Sequence, residues 1–426
     1  MVKYISLILF VLALFSSPGL ANAQGTKNNC IECHSTLSDS LGEPAHTFKN
    51  DIHLAEGILC QECHGGNASA ITNGDMSKVK GPGTGYIGRP AHGTIPKLCS
   101  RCHSNAEYMH KFNPNIRIDQ YANYLTSIHG KQLQKGDKKV AVCTSCHHVH
   151  QMRQANDPQS SIYPSNIAAT CGHCHSSKDY MSEYKIPVNQ ESNYRKSVHA
   201  EYLYEHGDLS APTCNDCHGN HGATPPGVKS VIFVCGVCHP SQETNFSTST
   251  HKEYLDNLGE PGCITCHGNH GIIKPDEKMI QVRDKELFCG KCHSEGDEQE
   301  PLILQIRGTI DSLKAAFQTA DSIVQRAAKA GMEVGEAQYQ LSTVQTGITQ
   351  SRNFVHSFSV KKILETAEPY FSSAFEIKKK GQDAMKEAGT RRTGLLISLV
   401  FIVFLIFVLV LKARQQNRRV YNQSIR

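Results

Sequence analysis

The chain has 426 residues, 18 cysteines, no tryptophan and a formal net charge of +5. Hydrophobic residues make up 39% of it, below the roughly 45–50% of ordinary globular chains, which excludes a large conventional apolar core along the whole length. So small a charge does not establish the strong field that nucleic-acid binding needs, and no nucleic-acid partner is expected.

In chain order, residues 1–23 read as a secretory signal peptide: Lys3, the apolar run Ile5–Phe15, then Ala21-Asn22-Ala23. The A-x-A pattern predicts cleavage before Gln24; retained, the same run would be an N-terminal anchor. A cysteine-bearing region, 24–299, follows.

Every cysteine falls into a CxxC pair: Cys30/Cys33, Cys60/Cys63, Cys99/Cys102, Cys143/Cys146, Cys171/Cys174, Cys214/Cys217, Cys235/Cys238, Cys263/Cys266 and Cys289/Cys292. Each pair is followed at once by histidine: His34, His64, His103, His147, His175, His218, His239, His267 and His293. C-x-x-C-H is the attachment signature of c-type haem. Two thiolates three residues apart share a helical face, so both can form thioethers along one porphyrin edge while the histidine reaches the iron. Zinc needs two such pairs per metal and no histidine after each. A redox dithiol calls for one CxxC, not nine. The expectation is nine covalently bound haems c, with porphyrins supplying much of the missing core. Their propionates would turn the net charge negative.

The haem region repeats a plan of S-x-H, then C-x-x-C-H-x-x-H, then C-G-x-C-H. One copy holds Ser127-Ile128-His129, Cys143–His147 with His150, and Cys171–His175. A second holds Ser197-Val198-His199, Cys214–His218 with His221, and Cys235–His239; a third holds Ser249-Thr250-His251, Cys263–His267 with His270, and Cys289–His293. A degraded earlier copy holds His53, Cys60–His64 and Cys99–His103, and Cys30–His34 stands in front. An imidazole one turn past a motif histidine lies on nearly the same helical face. It cannot reach the far side of the haem which that histidine ligates, so His150, His221 and His270 are expected to ligate neighbouring haems. The repeat-initial His53, His129, His199 and His251 are further distal candidates. Asn67 replaces the +3 histidine of the degraded copy, so His92 is its substitute there and His46 the candidate for the first haem. Any of these nine could instead be a surface or propionate-binding histidine. His110, His148, His173 and His206 are spares.

After Gly296 the cysteines give way to heptads in a helical stalk or bundle, 300–392. Ile303, Ile306, Ile310, Leu313, Phe317, Ala320, Val324 and Ala327 form one seam; Val334, Ala337, Leu341, Val344, Ile348, Ser351, Val355 and Phe358 a second; Ile363, Ala367, Tyr370, Ala374, Ile377, Gly381, Ala384 and Ala388 a third, with a kink expected at Pro369. Such a/d seams predict a coiled-coil-like hairpin or bundle, which could also mediate oligomerisation. His356 neighbours the second seam and either reaches a haem or is solvated. Residues 394–411 include a 17-residue uncharged run from Leu395 to Leu411, just long enough for a transmembrane helix. A basic tail, 412–426, suits the cytoplasm, and the signal peptide places the rest in the periplasm. The fold expected is mainly α with much irregular structure: a haem-cored domain, a long-helix hairpin or bundle, and one C-terminal transmembrane helix.

The block S-x-H…C-x-x-C-H-G-N-H-G…C-G-x-C-H over residues 30–293 resembles the doubled-CXXCH multihaem cytochromes c of respiratory bacteria. The helical part looks like the long helices that follow the haems of octahaem hydroxylamine oxidoreductase-type and nitrite reductase-type enzymes. The resemblance implies electron transfer in anaerobic respiration. On this reading a chain anchored in the bacterial inner membrane relays electrons from a quinol-oxidising membrane protein, or other cytochromes, to an extracytoplasmic acceptor. The alternative is a reductase for nitrite, hydroxylamine or a sulfur oxyanion with one open haem. No C-x-x-C-K motif is present to mark a lysine-ligated catalytic haem.

Overall fold

A computed structural model describes residues 28–424 apart from 228, 229 and 287; the expected signal peptide lies outside the described residues. The protein is mostly helical, with no strand among the described residues. It divides into two compact units, one of residues 28–226 with His270–Ile272, the other of Gly227–Asn269 with residues 273–424.

In the first unit short helices alternate with irregular chain, and the repeat explains their ends. The serine of S-x-H is an N-cap: Ser127 Oγ accepts from Gly130 N at 2.9 Å and Ser197 Oγ from Ala200 N at 3.2 Å, a standard way to satisfy the orphan donors of a helix start. Capping fixes the histidine at the second helical position of Ile128–Gln134 and Val198–Glu205. In the degraded copy Asp51 does the same work, accepting from His53 N at 2.9 Å at the start of Ile52–Ala55. Three residues before each capping serine a tyrosine clamps the next motif: Tyr124 Oη donates to Ala141 O at 2.9 Å and Tyr194 Oη to Pro212 O at 3.0 Å.

The first CxxCH motif of each copy forms a one-turn helix, as in Cys60–His64, Cys143–His147 and Cys214–His218. The next residue turns the chain at positive φ: Gly65 at 68°, His148 at 62° and Gly219 at 79°. Glycine adopts this conformation without penalty, whereas a side chain strains it; His148, exposed, takes the glycine position. Successive copies then dock by one repeated bond. Ile52 N donates to Met152 O at 2.8 Å, Ile128 N to Ala223 O at 3.0 Å and Val198 N to Ile272 O at 2.8 Å.

In the second unit Ser249 Oγ caps Thr250–Leu258, accepting from Lys252 N at 3.3 Å. Three long helices follow, Glu300–Lys329, Gly335–Phe354 and Val360–Ser424. The heptad residues Leu313, Ala320, Val324, Ala337, Leu341, Val344, Ile348, Ala367, Ala374 and Ile377 form one buried cluster. Gly331, at φ 76°, closes the first helix, and Met332 N bonds back to Ala327 O at 3.1 Å. The third helix runs without interruption through Pro369 and the apolar run, merging the third heptad segment with a span long and apolar enough to cross a membrane. The side chains of residues 395–411 face outward, which suits lipid and not water.

Glu277, 5% exposed, ties this bundle together. Its carboxylate pairs with Arg352 of the second long helix and, at 3.3 Å, with Lys314 of the first. Burial alone would raise its pKa, but the bonds from its own backbone N–H and from Arg352, with the charges of Arg352 and Lys314, hold it below the ordinary glutamate value. A depressed folded pKa contributes stability that is complete above the unfolded pKa and is lost as pH falls through the folded one. Glu277→Gln is expected to cost about 1.5–3 kcal/mol at neutral pH, the range for hydrogen bonds to charged groups. It should also flatten the acid limb of the pH–stability curve, measured by thermal melts of the full chain followed by circular dichroism.

Candidate metal centres

The capped helices and post-motif turns bring imidazoles face to face. Seven CxxCH histidines each face a second histidine with ring centres 6.0–6.2 Å apart: His64 with His150, His103 with His53, His147 with His221, His175 with His129, His218 with His270, His267 with His356 and His293 with His251. The separation is constant while the interplanar angle ranges from 7° to 87°. Rings packed on each other come closer, as His251 and Phe358 do at 3.7 Å. A constant gap at any angle is what two nitrogens aimed at one metal produce, since bonds of about 2 Å on either side leave ring centres about 6 Å apart.

The donor set also fits haem. No group of three or more His, Cys, Asp or Glu side chains is placed to hold a metal ion among the described residues. Tetrahedral zinc needs about four such ligands; a metal that brings its own four equatorial nitrogens needs two. All 18 thiols are outside disulfides. The Cys30 thiol lies beside that of Cys60, Cys99 beside that of Cys143, Cys171 beside that of Cys214 and Cys235 beside that of Cys263. Between these contacts, Cys63 lies in the electrostatic field of Cys99, and Cys146 in that of Cys174.

The two thiols of a pair are not equally enclosed by protein. The first cysteine of every pair is partly buried, but the second is exposed in five of them: Cys33, Cys63, Cys217, Cys238 and Cys292. Cys102, Cys146, Cys174 and Cys266 are partly buried at the same position. Exposure leaves Cys33, Cys63, Cys217, Cys238 and Cys292 sterically open to a porphyrin vinyl group, so their candidacy for thioether bonds rests on the motif and not on enclosure by protein. His239, next to Cys238, is exposed as well.

Hydrogen bonds set which ring nitrogen is free. A carbonyl only accepts, so the Nδ1–H donates in His34 to Leu41 O at 2.6 Å, His64 to Gly88 O at 2.8 Å, His218 to Thr224 O at 3.3 Å and His356 to Asn353 O at 3.1 Å. Each bond leaves the Nε2 lone pair available to a metal. His53 Nδ1 instead meets Asp51 Oδ1 at 2.8 Å. Burial would raise the Asp51 pKa, but bonds from His53 and from Met152 N keep it lowered and the carboxylate ionised. The buried Nδ1 of His251 has no partner. Burial pushes His147 and His267 down to about 4, so both imidazoles are neutral and able to ligate near neutral pH.

Two expected distal candidates are elsewhere. His46 Nε2 donates to Leu37 O at 3.2 Å and His92 Nε2 to Val140 O at 2.8 Å, so in each the nitrogen that would bind iron carries a proton. Neither faces a motif histidine; proximity in sequence suggested them, and local turns capture them first. Opposite His34 stands Lys80, with Nζ 3.3 Å from His34 Nε2, a residue that sequence reasoning missed. His356, left open by the sequence, faces His267. His110, His148, His173 and His206 are exposed.

Eighteen cysteines in CxxCH motifs, with imidazoles spaced for hexacoordinate iron, support a multihaem c-type cytochrome with covalently bound haem c. Over 120 residues the chain is 27% identical to a C-type polyheme cytochrome, OmcC, of Geobacter sulfurreducens. The match covers 28% of this chain and 14% of that relative's length. No family profile and no solved structure matches the chain.

Proposed function

We propose that this protein is a membrane-anchored, periplasmic nonahaem cytochrome c that relays electrons between a quinol-linked donor in the inner membrane and an extracytoplasmic acceptor. The observation that carries the reading is the crossing of ligands between repeats. His150, His221 and His270, each three residues past its own motif, face the motif histidines His64, His147 and His218 of the preceding copy. One C-x-x-C-H-x-x-H segment would therefore hold two irons, at a separation set by the one-turn motif helix and the positive-φ turn that follows it.

The haems, when bound, supply one-electron chemistry, and the protein supplies position and potential. His34, His64, His103, His147, His175, His218, His239, His267 and His293 are the proximal ligands. His53, His129 and His251 are distal within their own copies, and His199 holds the same place in its copy by register. His356 takes the role that a further repeat's +3 histidine would have had. Bis-imidazole ligation favours low potentials, tuned by hydrogen bonds to the outer ring nitrogens; the Asp51 carboxylate on His53 is one such device. The apolar part of the third long helix anchors the chain. Other cytochromes are suitable partners, and the bundle offers a surface for oligomerisation.

The test places the purified full-length holoprotein in liposomes with a quinol and a quinol-oxidising membrane protein. All haems should be reduced and reoxidised by an added soluble cytochrome, with no consumption of nitrite or hydroxylamine. Haems that stay oxidised, or turnover of either compound, would overturn the relay in favour of a structural anchor or a reductase.

A further inference from the structure

We propose that Lys80 is the second axial ligand of the iron held by His34, which gives the first haem an imidazole–amine ligand set among imidazole pairs. The inference rests on the multihaem reading above. Lys80 Nζ lies 3.3 Å from His34 Nε2, and the Nδ1–H of His34 is committed to Leu41 O, so the amine meets the bare Nε2 lone pair directly, and a lysine side-chain shift of under about 1 Å would open the roughly 4 Å that two metal–nitrogen bonds of about 2 Å span. His46 is no competitor, since its Nε2 is occupied by Leu37 O.

The repeat explains why an amine stands there. In the later copies the imidazole three residues past the motif faces the motif histidine of the copy before. For the first haem that position is Asn67, whose side chain offers iron no imidazole. Lys80 is delivered to the same place by the segment docked on the Asn67 turn. Asn67 N donates to Val79 O at 3.0 Å and Gly66 N to Thr84 O at 3.2 Å, and Ile87 N donates to His64 O at 2.8 Å. Val79, beside Lys80, is buried. A Cβ on Gly65 would sit 2.0 Å from Gly85 O, so the approach that positions the lysine requires glycine there. The insertion replaces the missing ligand with a donor of different chemistry. A saturated amine has no π orbitals to share with iron, and axial-ligand identity is a main control on potential, so the first haem is set apart from the rest of the relay.

The test compares full-length holoprotein with Lys80→Arg, Lys80→Ala and Lys80→His by electron paramagnetic resonance and near-infrared magnetic circular dichroism, with the haem content of each preparation measured. Lys80→Arg keeps length and charge but cannot ligate; it and Lys80→Ala should each show one high-spin ferric haem per chain. Lys80→His should stay fully low-spin and lose the amine-type charge-transfer band of the wild type. Unchanged low-spin spectra in Lys80→Arg and Lys80→Ala at full haem content would overturn the assignment and leave the multihaem reading intact. Wild-type protein without covalent haem would overturn the multihaem reading itself.

Discussion

Replacing His356 with alanine should turn one ferric haem in nine from low-spin to high-spin without changing the haem content. The ring of His356 faces that of His267 at 6.0 Å, nearly parallel at 20°. Its Nδ1–H is held by Asn353 O, which aims Nε2 across the gap. The residue lies in the 3-10 turn Val355–Ser357 between the second and third long helices, so the bundle itself delivers the ligand. The nearby amine of Lys291 is committed to Thr265 O at 3.1 Å and Cys266 O at 3.0 Å. Alanine therefore leaves the sixth position to water. His356→Met should restore a low-spin iron with a raised potential, as Met/His ligation does. Spin quantitation by electron paramagnetic resonance checks both; an all-low-spin His356→Ala protein would remove this ligand from the account.

A larger effect is expected from Cys143→Ser combined with Cys146→Ser. Without thioether bonds the haem at His147 is lost, leaving eight. His221, which faces His147 at 6.1 Å, and the clamp from Tyr124 Oη to Ala141 O would then border a void. The destabilisation should reach at least about 3–5 kcal/mol, the range for truncating a large buried aromatic group. Electron flow should fail at that point, because the copies on either side keep their haems but lose the bridge. Stopped-flow reduction would show haems on the donor side filling at the wild-type rate and the rest slowly or not at all. Wild-type rates through the whole set would contradict a linear relay.

The repeat was readable because chemistry and local structure coincide in it. CxxCH requires its residues for attachment, and S-x-H requires serine as a cap, so the spacing of His129, His199 and His251 survives in the text of the chain. Asp51-Ile52-His53 shows the same logic with another capping residue, which a pattern written with serine misses. The unequal cover of the thiols was not readable, because CxxC spacing fixes which residues share a helix and not what packs over Cys33, Cys217, Cys238 or Cys292. The heptads and the apolar run were legible because period and hydropathy report burial directly. Continuity of the last helix was not, because a heptad pattern and an apolar run are separate signals and neither fixes the backbone that joins them. Lys80 was illegible for a different reason. It lies in a unique insertion, and its position opposite His34 depends on tertiary bonds from Asn67 and Gly66. His46 and His92 were plausible in sequence, and the structure pairs each Nε2 with a backbone carbonyl instead.

The most direct measurement is the intact mass of the purified full-length protein under denaturing conditions, which retain thioether-bound haem and release any metal held by coordination alone. The account predicts the polypeptide plus nine haems. A mass equal to the bare polypeptide, or one carrying clearly fewer than nine, would contradict it.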